Sequence, residues 1–212
     1  MMIPGRFIVV EGLEGAGKTS AIKTIKSYLE SKSQRVIVTR EPGGTRIGEG
    51  LRTLIKESVD GEILDARSEL LMLYAARVQL LEQVIRPALS RGEWVIADRF
   101  ELSTFAYQGG GRGIDKQFLD CLSDLCLQKF TPDLILFLDI LPAQGMQRIK
   151  RRGYLDRIEK ESMDFFTRVY QAYHECIRDM NNVRIVDASS PLHVVQGSIN
   201  QYLQEFFQND YA

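Results

Sequence analysis

The stretch GLEGAGKT at residues 12–19 is the feature that most constrains the fold of this chain. It matches the pattern G-x-x-x-x-G-K-[ST] in full, and the apolar run RFIVVEG (6–12) that leads into it predicts a buried strand. A helical pattern follows at once. Glycines in such a loop let successive backbone N–H groups converge on an anion, and the N-terminus of the helix faces the same point. The stretch therefore predicts a phosphate-binding loop (P-loop) within an α/β fold.

The P-loop also predicts the chemistry of its own residues. Lys18 is expected to reach the β- and γ-phosphates of a nucleotide, and the Thr19 hydroxyl is expected to bind Mg²⁺. A glycine turn that merely caps a structural helix is the alternative, and the flanking strand and helix disfavour it. The predicted ATP-binding residues are Gly12, Leu13, Glu14, Gly15, Ala16, Gly17, Lys18 and Thr19.

Continuous runs of Val, Ile and Leu predict strands that are covered on both faces, as in a parallel sheet. Besides 6–12, these runs lie at 35–40, 94–99, 134–139 and 183–188. Helical patterns lie at 19–31, 66–90, 115–129, 142–152, 158–179 and 191–208, and Pro87 is expected to end or kink the second. The alternation predicts a five-stranded parallel sheet flanked by helices. The glycine-rich stretches 41–50 and 107–113 are predicted to be mobile loops.

Charged residues follow the predicted strands, at the edge of the sheet where ligands bind in α/β proteins. Arg40 and Glu41 follow the second strand, and Asp98 and Arg99 follow the third. Asp98 is placed to hold Mg²⁺ or its water shell, and Arg99 to clamp a phosphate or the transferring group. A surface ion pair at the end of a strand is the alternative for Asp98 and Arg99.

Two further basic features lie on predicted helices. The stretch RIKRRGYLDR (148–157) places Arg148 and Arg152 on one helical face, as a solvated surface or as a lid that brings arginines to ATP. Arg77 lies among apolar residues of the long helix. A buried arginine needs an anionic partner, and the sequence leaves open whether this is a substrate phosphate or an internal carboxylate.

Composition excludes several classes of protein. The length of 212 residues fits one domain, 1–212, and 27 basic against 28 acidic residues give no electrostatic case for nucleic-acid or membrane binding. The three cysteines are too few and too scattered for a disulfide framework or a zinc site, which fits a reducing cytoplasm. Neither the features of a signal peptide nor an apolar run of membrane-spanning length is present, so we expect a cytoplasmic protein.

Seven stretches taken together resemble bacterial thymidylate kinases (dTMP kinases). They occur in order over nearly the whole chain: VEGLEGAGKTS, TREPGGT, YAARVQ, DRFELSTFAYQGGGRGI, PDLILFLD, RRGYLDRIE and VDASSPL. The resemblance implies the P-loop NTPase fold with a small helical lid at about 145–158, a homodimer, and transfer of the ATP γ-phosphoryl to dTMP with Mg²⁺. A kinase for another nucleotide or a deoxynucleoside remains the main alternative. A nucleotide-binding switch is disfavoured further by the absence of an N-K-x-D guanine motif.

The resemblance also implies roles for the residues of an acceptor pocket. Arg52, Arg77 and Arg99 match arginines around the dTMP phosphate, and Thr104 and Gln108 match contacts to the thymine edge, with Ser103 adjacent. Tyr107 matches an aromatic residue beside the sugar that crowds out a ribose 2′-hydroxyl, and Glu41 and Pro42 line the pocket. Glu14 is implied to accept a hydrogen bond from the 3′-hydroxyl and to pair with a site arginine, the alternative being a solvent-facing loop acid.

Two positions define the subtype and one departure from the family. Leu73 stands where the family usually has the Phe that stacks on thymine, which costs about 0.5–1.5 kcal/mol unless Tyr74 or Phe105 compensates. Gly15 stands where some members have Arg. Members that lack this Arg, as this chain does, supply the catalytic arginine from the lid, at the position of Arg152. The implied catalytic residues are therefore Lys18, Arg99 and Arg152, with Thr19 and Asp98 at the metal.

Overall fold

The computed structural model describes residues 5–57, 61–151 and 153–210, except for the side chains of residues 209 and 210. Its centre is a parallel sheet whose strands are ordered β2-β3-β1-β4-β5. The strands are β1 (Phe7–Gly12), β2 (Val36–Arg40), β3 (Trp94–Asp98), β4 (Leu134–Asp139) and β5 (Val183–Asp187). The predicted five-stranded parallel sheet is confirmed.

Strand β1 lies at the centre of the sheet, and its position explains where the P-loop is found. It pairs with β3 on one side and with β4 on the other, with Val10 opposite Asp98 and Gly12 opposite Leu138. Every residue of β1 is buried, as its unbroken apolar run predicts. After β1, the chain forms β2 and β3 on one side of this strand and then β4 and β5 on the other. Such a reversal of strand order is a switch point, where α/β proteins bind their ligands.

Helices cover both faces of the sheet, and several begin at a capping side chain. They are α1 (Lys18–Ser31), α2 (Arg46–Lys56), α3 (Ala66–Leu80), α4 (Arg86–Ser90), α5 (Glu101–Thr104), α6 (Lys116–Leu127), α7 (Pro142–Lys150), α8 (Met163–Ile177) and α9 (Leu192–Asp210). Asp65, Asp115 and Ser162 each accept a hydrogen bond from a backbone N–H of the first turn that they precede. In the part of the chain that the structure describes, no helix is both long enough and apolar enough to cross a membrane.

The long helix predicted at 66–90 is observed as three consecutive helical segments. A π-helical turn, Leu81–Ile85, joins α3 to α4, and Pro87 lies in the first turn of α4 instead of ending the helix. Inserted π turns are one way in which a helix accommodates an interrupted hydrogen-bond ladder. The expectation that Pro87 ends the helix is therefore wrong, and the alternative that it kinks the helix stays a prediction.

The second half of the stretch 41–50 belongs to α2, so this stretch is not the mobile loop that its glycines suggested. Thr45 caps the helix, since its hydroxyl accepts a hydrogen bond from Gly48 N at 2.9 Å. Glu49, in the first turn, accepts from Gly44 N at 2.8 Å and pairs with Arg40 at 2.8 Å. These local bonds hold the segment beside the end of β2.

The stretch 107–113 is likewise helical for most of its length. The π-helix Phe105–Gly111 continues directly from α5. A Cβ at Gly110 would lie 2.4 Å from Cβ of Ala172, and one at Gly111 would lie 2.5 Å from the ring of Phe165, both on α8. The glycines therefore permit close packing against α8, and the prediction of a flexible loop is wrong.

Candidate active site

The P-loop connects β1 to α1 and has the geometry of an anion-binding loop. Gly15 and Gly17 have φ angles of 76° and 93°, a region that residues with a Cβ rarely adopt. Gly17 is the N-cap of α1, so the positive end of the helix dipole faces the loop. Lys18 Nζ donates to the carbonyl oxygens of Gly12 at 3.1 Å and Leu13 at 2.9 Å. The lysine ammonium is thus held over the loop.

The charge on Lys18 is weakened by its surroundings. Burial and the nearby guanidinium of Arg99 lower the pKa of Lys18 to about 8, against the opposing attraction of Asp98 and Glu14. A phosphate beside the ammonium would favour its charged form. The binding of an anion is therefore favoured more at this buried lysine than at an exposed one.

Helix α7 packs directly against the P-loop through a pair of glycines. A Cβ at Gly15 would lie 2.2 Å from the carbonyl oxygen of Gly145, and a Cβ at Gly145 would lie 2.5 Å from that of Glu14. Arg148, one turn further along α7, donates to Ala188 O at 2.9 Å and to Gly15 O at 3.4 Å. The helix that leads into the predicted lid is therefore in backbone contact with the nucleotide loop.

A cavity of about 410 Å³ opens beside the P-loop at the carboxyl edge of the sheet. Lys18, Thr19 and Asp98 lie in its wall. So does every residue predicted for the acceptor pocket, namely Glu14, Glu41, Pro42, Arg52, Leu73, Arg77, Arg99, Ser103, Thr104, Tyr107 and Gln108. Of the predicted ATP-binding residues, Leu13 and Ala16 instead pack into the hydrophobic core.

Arg99 lies at the junction between the P-loop and the wall formed by α5 and its π-helical extension. Its Nη2 donates to Glu14 Oε1 at 2.6 Å and to the Tyr107 hydroxyl at 3.0 Å, and its Nη1 donates to Ser103 Oγ and the Tyr173 hydroxyl, both at 3.0 Å. Its φ of 72° lies in the left-handed region, which is uncommon for a residue with a side chain. Arg99 is thus positioned by its backbone and by four hydrogen bonds.

Glu14 faces the cavity and not the bulk solvent. Tyr107 donates a hydrogen bond to Glu14 Oε2, alongside the Arg99 ion pair. Burial would raise the pKa of Glu14, but the charges of Arg99 and Lys18 and the Tyr107 hydrogen bond lower it below the ordinary value. The implied pairing of Glu14 with a site arginine is confirmed, and Glu14 is an ionised carboxylate.

Glu11 is a fully buried carboxylate that supports this arrangement from below. It accepts from the backbone N–H of Phe100 at 2.9 Å, from Ser103 Oγ at 2.5 Å and from the Tyr173 hydroxyl at 3.0 Å. Ser103 and Tyr173 in turn accept hydrogen bonds from Arg99, so Glu11 helps to position the arginine through these two side chains. Ser103 therefore already has several partners within the protein.

Arg77 has an internal carboxylate partner, which was one of the two alternatives that the sequence left open. It pairs with Glu41 at 2.8 Å, with both side chains almost fully buried, and its Nη2 also donates to Thr104 Oγ1 at 2.8 Å. Burial raises the pKa of Glu41 to about 7, although the charge and hydrogen bond of Arg77 oppose the rise. Arg77 Nη1 and Glu41 Oε1 are buried without a hydrogen-bond partner among the described residues. Unpaired buried groups of this kind favour a polar ligand beside them.

Comparison with known proteins supports what the geometry indicates. A family model described as thymidylate kinase matches residues 10–199. The chain is 53% identical over 208 residues to a thymidylate kinase of Legionella pneumophila strain Corby, and 52% identical to one of strain Paris. Each alignment covers 98% of this chain and 98% of the relative.

The chain belongs to the thymidylate kinase family. The resemblance on which the site residues were predicted is thereby confirmed.

The groups around Asp98 indicate whether a metal ion could bind there. Asp98 and Thr19 lie in the wall of the same cavity, and Asp98 Oδ1 is buried with no hydrogen-bond partner among the described residues. The described residues contain no group of three or more acidic, His or Cys side chains suited to a metal. Mg²⁺ suits such a setting, because it takes oxygen ligands and usually binds through one or two protein groups plus water and phosphate.

Position 73 differs from the thymidylate kinase pattern, and the structure locates the aromatic residues near it. Leu73 lies in the cavity wall, whereas neither Tyr74 nor Phe105 does. The Tyr74 ring packs 4.9 Å beneath the Arg77 guanidinium, and Phe105 packs in the same small cluster as Tyr74 and Leu119. The proposed compensation by Tyr74 or Phe105 is therefore not observed. Phe100 and Tyr107 are the aromatic residues in the wall.

Several residues of the cavity wall were missed by the sequence analysis. They are Ile55, Lys56, Phe100, Asp156, Ile158 and Glu159. Lys56 pairs with Asp156 at 2.6 Å, although 100 positions separate them, and no local pattern indicates such a contact. Arg152, the predicted lid arginine, lies outside the described residues, and α7 ends at Lys150 instead of at 152.

Proposed function

We propose that this protein is an ATP-dependent dTMP kinase that converts dTMP and ATP to dTDP and ADP. The observation that carries the proposal is the single cavity in which the P-loop lysine meets all of the predicted acceptor residues. A kinase needs both substrates in one enclosed site, since positioning and charge stabilisation supply most of its catalysis. The family membership supports the same activity.

In the proposed reaction, an oxygen of the dTMP phosphate attacks the γ-phosphorus of ATP, and the bond from that phosphorus to the β–γ bridging oxygen breaks. ADP leaves with the electron pair of that bond. The acceptor is already an anion, so no strong general base is needed. Lys18 and Arg99, with Arg152 from the lid, stabilise the charge of the transferring group. Mg²⁺, held by Thr19 and Asp98, would neutralise phosphate charge there.

The acceptor is proposed to lie along the wall from Arg52 to Gln108. Arg52 and Arg99 would hold the phosphate, with Glu14 at the 3′-hydroxyl and Tyr107 beside the sugar. Arg77 is expected at the same phosphate, but its bonds to Glu41, Phe100 and Thr104 leave Nη1 as its guanidinium nitrogen without a partner among the described residues. We therefore assign Arg77 one hydrogen bond to dTMP instead of the main phosphate contact.

An acceptor panel tests the proposal. ADP formation is measured in a coupled assay with ATP, Mg²⁺ and each of dTMP, dUMP, dCMP, AMP and GMP. We expect the highest kcat/KM with dTMP. A preference for AMP or dCMP would favour the second candidate, a kinase for another nucleotide, which Leu73 in the place of a stacking aromatic residue keeps open.

The localisation, domain organisation and oligomeric state of the enzyme are proposed from the resemblance and from the exposed side chains of its helices. We propose a cytoplasmic protein with one domain, 1–212, and a lid at about 145–158 that closes over ATP. We also propose a homodimer. Its support is a series of exposed apolar side chains on the adjoining helices α2, α3 and α6, namely Ile47, Leu54, Leu71 and Leu125.

A further inference from the structure

Glu69 is a buried carboxylate on α3 that lies just behind the cavity wall. Its side chain is 1% exposed. It accepts a hydrogen bond from Gln108 Nε2 at 2.7 Å, lies 3.3 Å from Arg112 Nη2, and also pairs with Arg157 Nη2. Gln108 lies in the cavity wall, whereas Glu69 does not.

Glu69 is ionised in this setting. Burial would raise the pKa of Glu69, but the Arg157 hydrogen bond, the charge of Arg112 and the Gln108 hydrogen bond lower it below the ordinary value. A carboxylate accepts hydrogen bonds and donates none. The Gln108 amide must therefore present its NH₂ group to Glu69, because the opposite orientation would bring two acceptors together.

This constraint determines which group of the Gln108 amide is left to bind a ligand in the cavity. Gln108 Oε1 has no hydrogen-bond partner among the described residues. With Nε2 held by Glu69, the carbonyl oxygen is the group left for a ligand in the cavity. Thr104, one turn earlier, accepts from Arg77, which leaves its hydroxyl hydrogen free to donate. The wall thus offers an acceptor at Gln108 and a donor at Thr104.

We propose that Glu69 is a positioning residue that fixes the polarity of the Gln108 amide and so selects bases with an imino N–H. The inference rests on the proposed use of dTMP as acceptor. Thymine and uracil carry N3–H between two carbonyl groups, which complements an acceptor flanked by a donor. Cytosine presents N3 as an acceptor, and it would face the Gln108 carbonyl oxygen without a hydrogen bond. A site whose polar groups stay unpaired with the wrong ligand discriminates strongly against it.

Glu69→Gln tests the proposal, because a glutamine at 69 can donate as well as accept. The Gln108 amide is then free to turn and to present either group to the base. We expect the ratio of kcat/KM for dTMP to that for dCMP to fall about tenfold or more. The ratio for dTMP to dUMP should remain within about twofold, since both bases carry the same imino edge. A folded variant that keeps the wild-type dTMP to dCMP ratio would overturn the proposal.

Glu161→Gln is the matched control. Glu161 pairs with Arg112 at 2.5 Å and Glu69 lies 3.3 Å from the same arginine, but among the described residues no hydrogen bond joins Glu161 to Gln108. The control removes a carboxylate from the same arginine, so a merely structural effect should change stability without changing the base ratios. A shift of the dTMP to dCMP ratio in Glu161→Gln as large as that in Glu69→Gln would contradict the positioning role.

A second measurement uses the unaltered protein and does not need turnover or a folded variant. NMR of the Gln108 side-chain amide should show NH₂ protons that exchange slowly with solvent, as a buried bond to a carboxylate requires. Free exchange of these protons would overturn the proposal. The two hypotheses fail separately: absence of dTDP formation by wild-type enzyme refutes the proposed function, whereas unchanged base ratios in an active Glu69→Gln variant refute the role of Glu69.

Discussion

Single residues of this site carry charges that depend on one another, and Glu14 shows why an acid belongs in a phosphate-binding loop. Its carboxylate pairs with Arg99 and accepts a hydrogen bond from Tyr107. The carboxylate offsets the charge of Arg99, and two buried groups of opposite charge are far less costly than either alone. The P-loop is thereby joined to Arg99 and Tyr107 in the cavity wall through one side chain.

Replacement of Glu14 by Gln tests whether this residue also binds the acceptor sugar. We expect kcat/KM for dTMP to fall about tenfold or more, because a carboxylate that accepts from the 3′-hydroxyl is lost. Initial rates with 3′-deoxy-dTMP provide the comparison, and they should be much less affected. Equal losses with both acceptors would show that Glu14 serves only to hold Arg99.

We expect Lys18 to take up protons from solution when a nucleotide binds. Burial lowers its pKa to about 8, so the ammonium is partly deprotonated near that pH. Bound phosphates favour the ammonium and raise its pKa, so near pH 8 we expect uptake of about half a proton per ATP, falling toward zero about two pH units lower. Calorimetry in buffers of different ionisation enthalpy measures the uptake.

Lys18→Arg is the control for that measurement, since a guanidinium stays charged throughout the range. Binding of ATP to this variant should show no uptake that can be attributed to position 18. Identical binding enthalpies for the wild-type protein in all buffers near pH 8 would contradict the expected uptake.

Elements were predictable from sequence where burial and periodicity agree. All five strands were located to within one residue at each end, because unbroken apolar runs between helices have few other interpretations. Helix α2 was missed because Gly43, Gly44 and Gly48 resemble loop residues, whereas the Thr45 cap is what starts the helix. The π-helix 105–111 has no distinctive residue pattern and depends on packing against α8.

The contact between α7 and the P-loop should tolerate no side chain at position 145. In Gly145→Ala, the new Cβ would meet Glu14 O at 2.5 Å, so α7 and the loop must separate. We expect KM for ATP to rise and kcat to fall, together by about tenfold or more in kcat/KM, since a shift of about 1 Å near a reacting group has such effects.

Gly197→Ala provides the matched control within another helix. A Cβ at Gly197 meets no atom within 4 Å, so this substitution should leave the kinetics unchanged and raise stability by about 0.5–1 kcal/mol. Steady-state kinetics and thermal unfolding of both variants give the comparison. Wild-type kinetics in Gly145→Ala would show that α7 yields without consequence for the loop.

The predicted lid supplies a further test at the scale of an element. Arg152→Ala should lower kcat at least about tenfold with little change in KM for dTMP, because the arginine is assigned to the transferring group. Single-turnover kinetics with excess enzyme separate this effect on chemistry from product release. A kcat within about twofold of wild type would remove Arg152 from the catalytic residues and leave Arg148, which already contacts the P-loop, as the candidate.

At the scale of the whole molecule, the residues of the site were predictable from the sequence, but the ion pairs between distant segments around it were not. The motif and the resemblance placed the P-loop and the acceptor residues, which lie around one cavity. The pairs Lys56–Asp156 and Glu69–Arg157 were not foreseen, because their partners are distant in sequence and meet only through the packing of α2 and α3 against the segment after α7. Such ion pairs depend on tertiary geometry, which local patterns do not encode.

The proposed homodimer can be tested through the apolar surface. Leu125 on α6 is 73% exposed, the highest value among the four apolar side chains named for α2, α3 and α6. A charge at that position would be desolvated in an apolar interface, so Leu125→Glu should shift the protein toward monomer in light scattering coupled to size exclusion. A wild-type protein that is monomeric at all concentrations would contradict the proposal.

The fate of the γ-phosphoryl group tests the central proposal most directly. Enzyme is mixed with Mg²⁺, dTMP and ATP labelled at the γ-phosphorus, and the products are separated. If one cavity holds both substrates for direct transfer, the label appears at the β-position of dTDP, and ADP forms slowly without dTMP. Release of the label as free phosphate at the same rate with and without dTMP would contradict the account and would indicate a nucleotide hydrolase or switch.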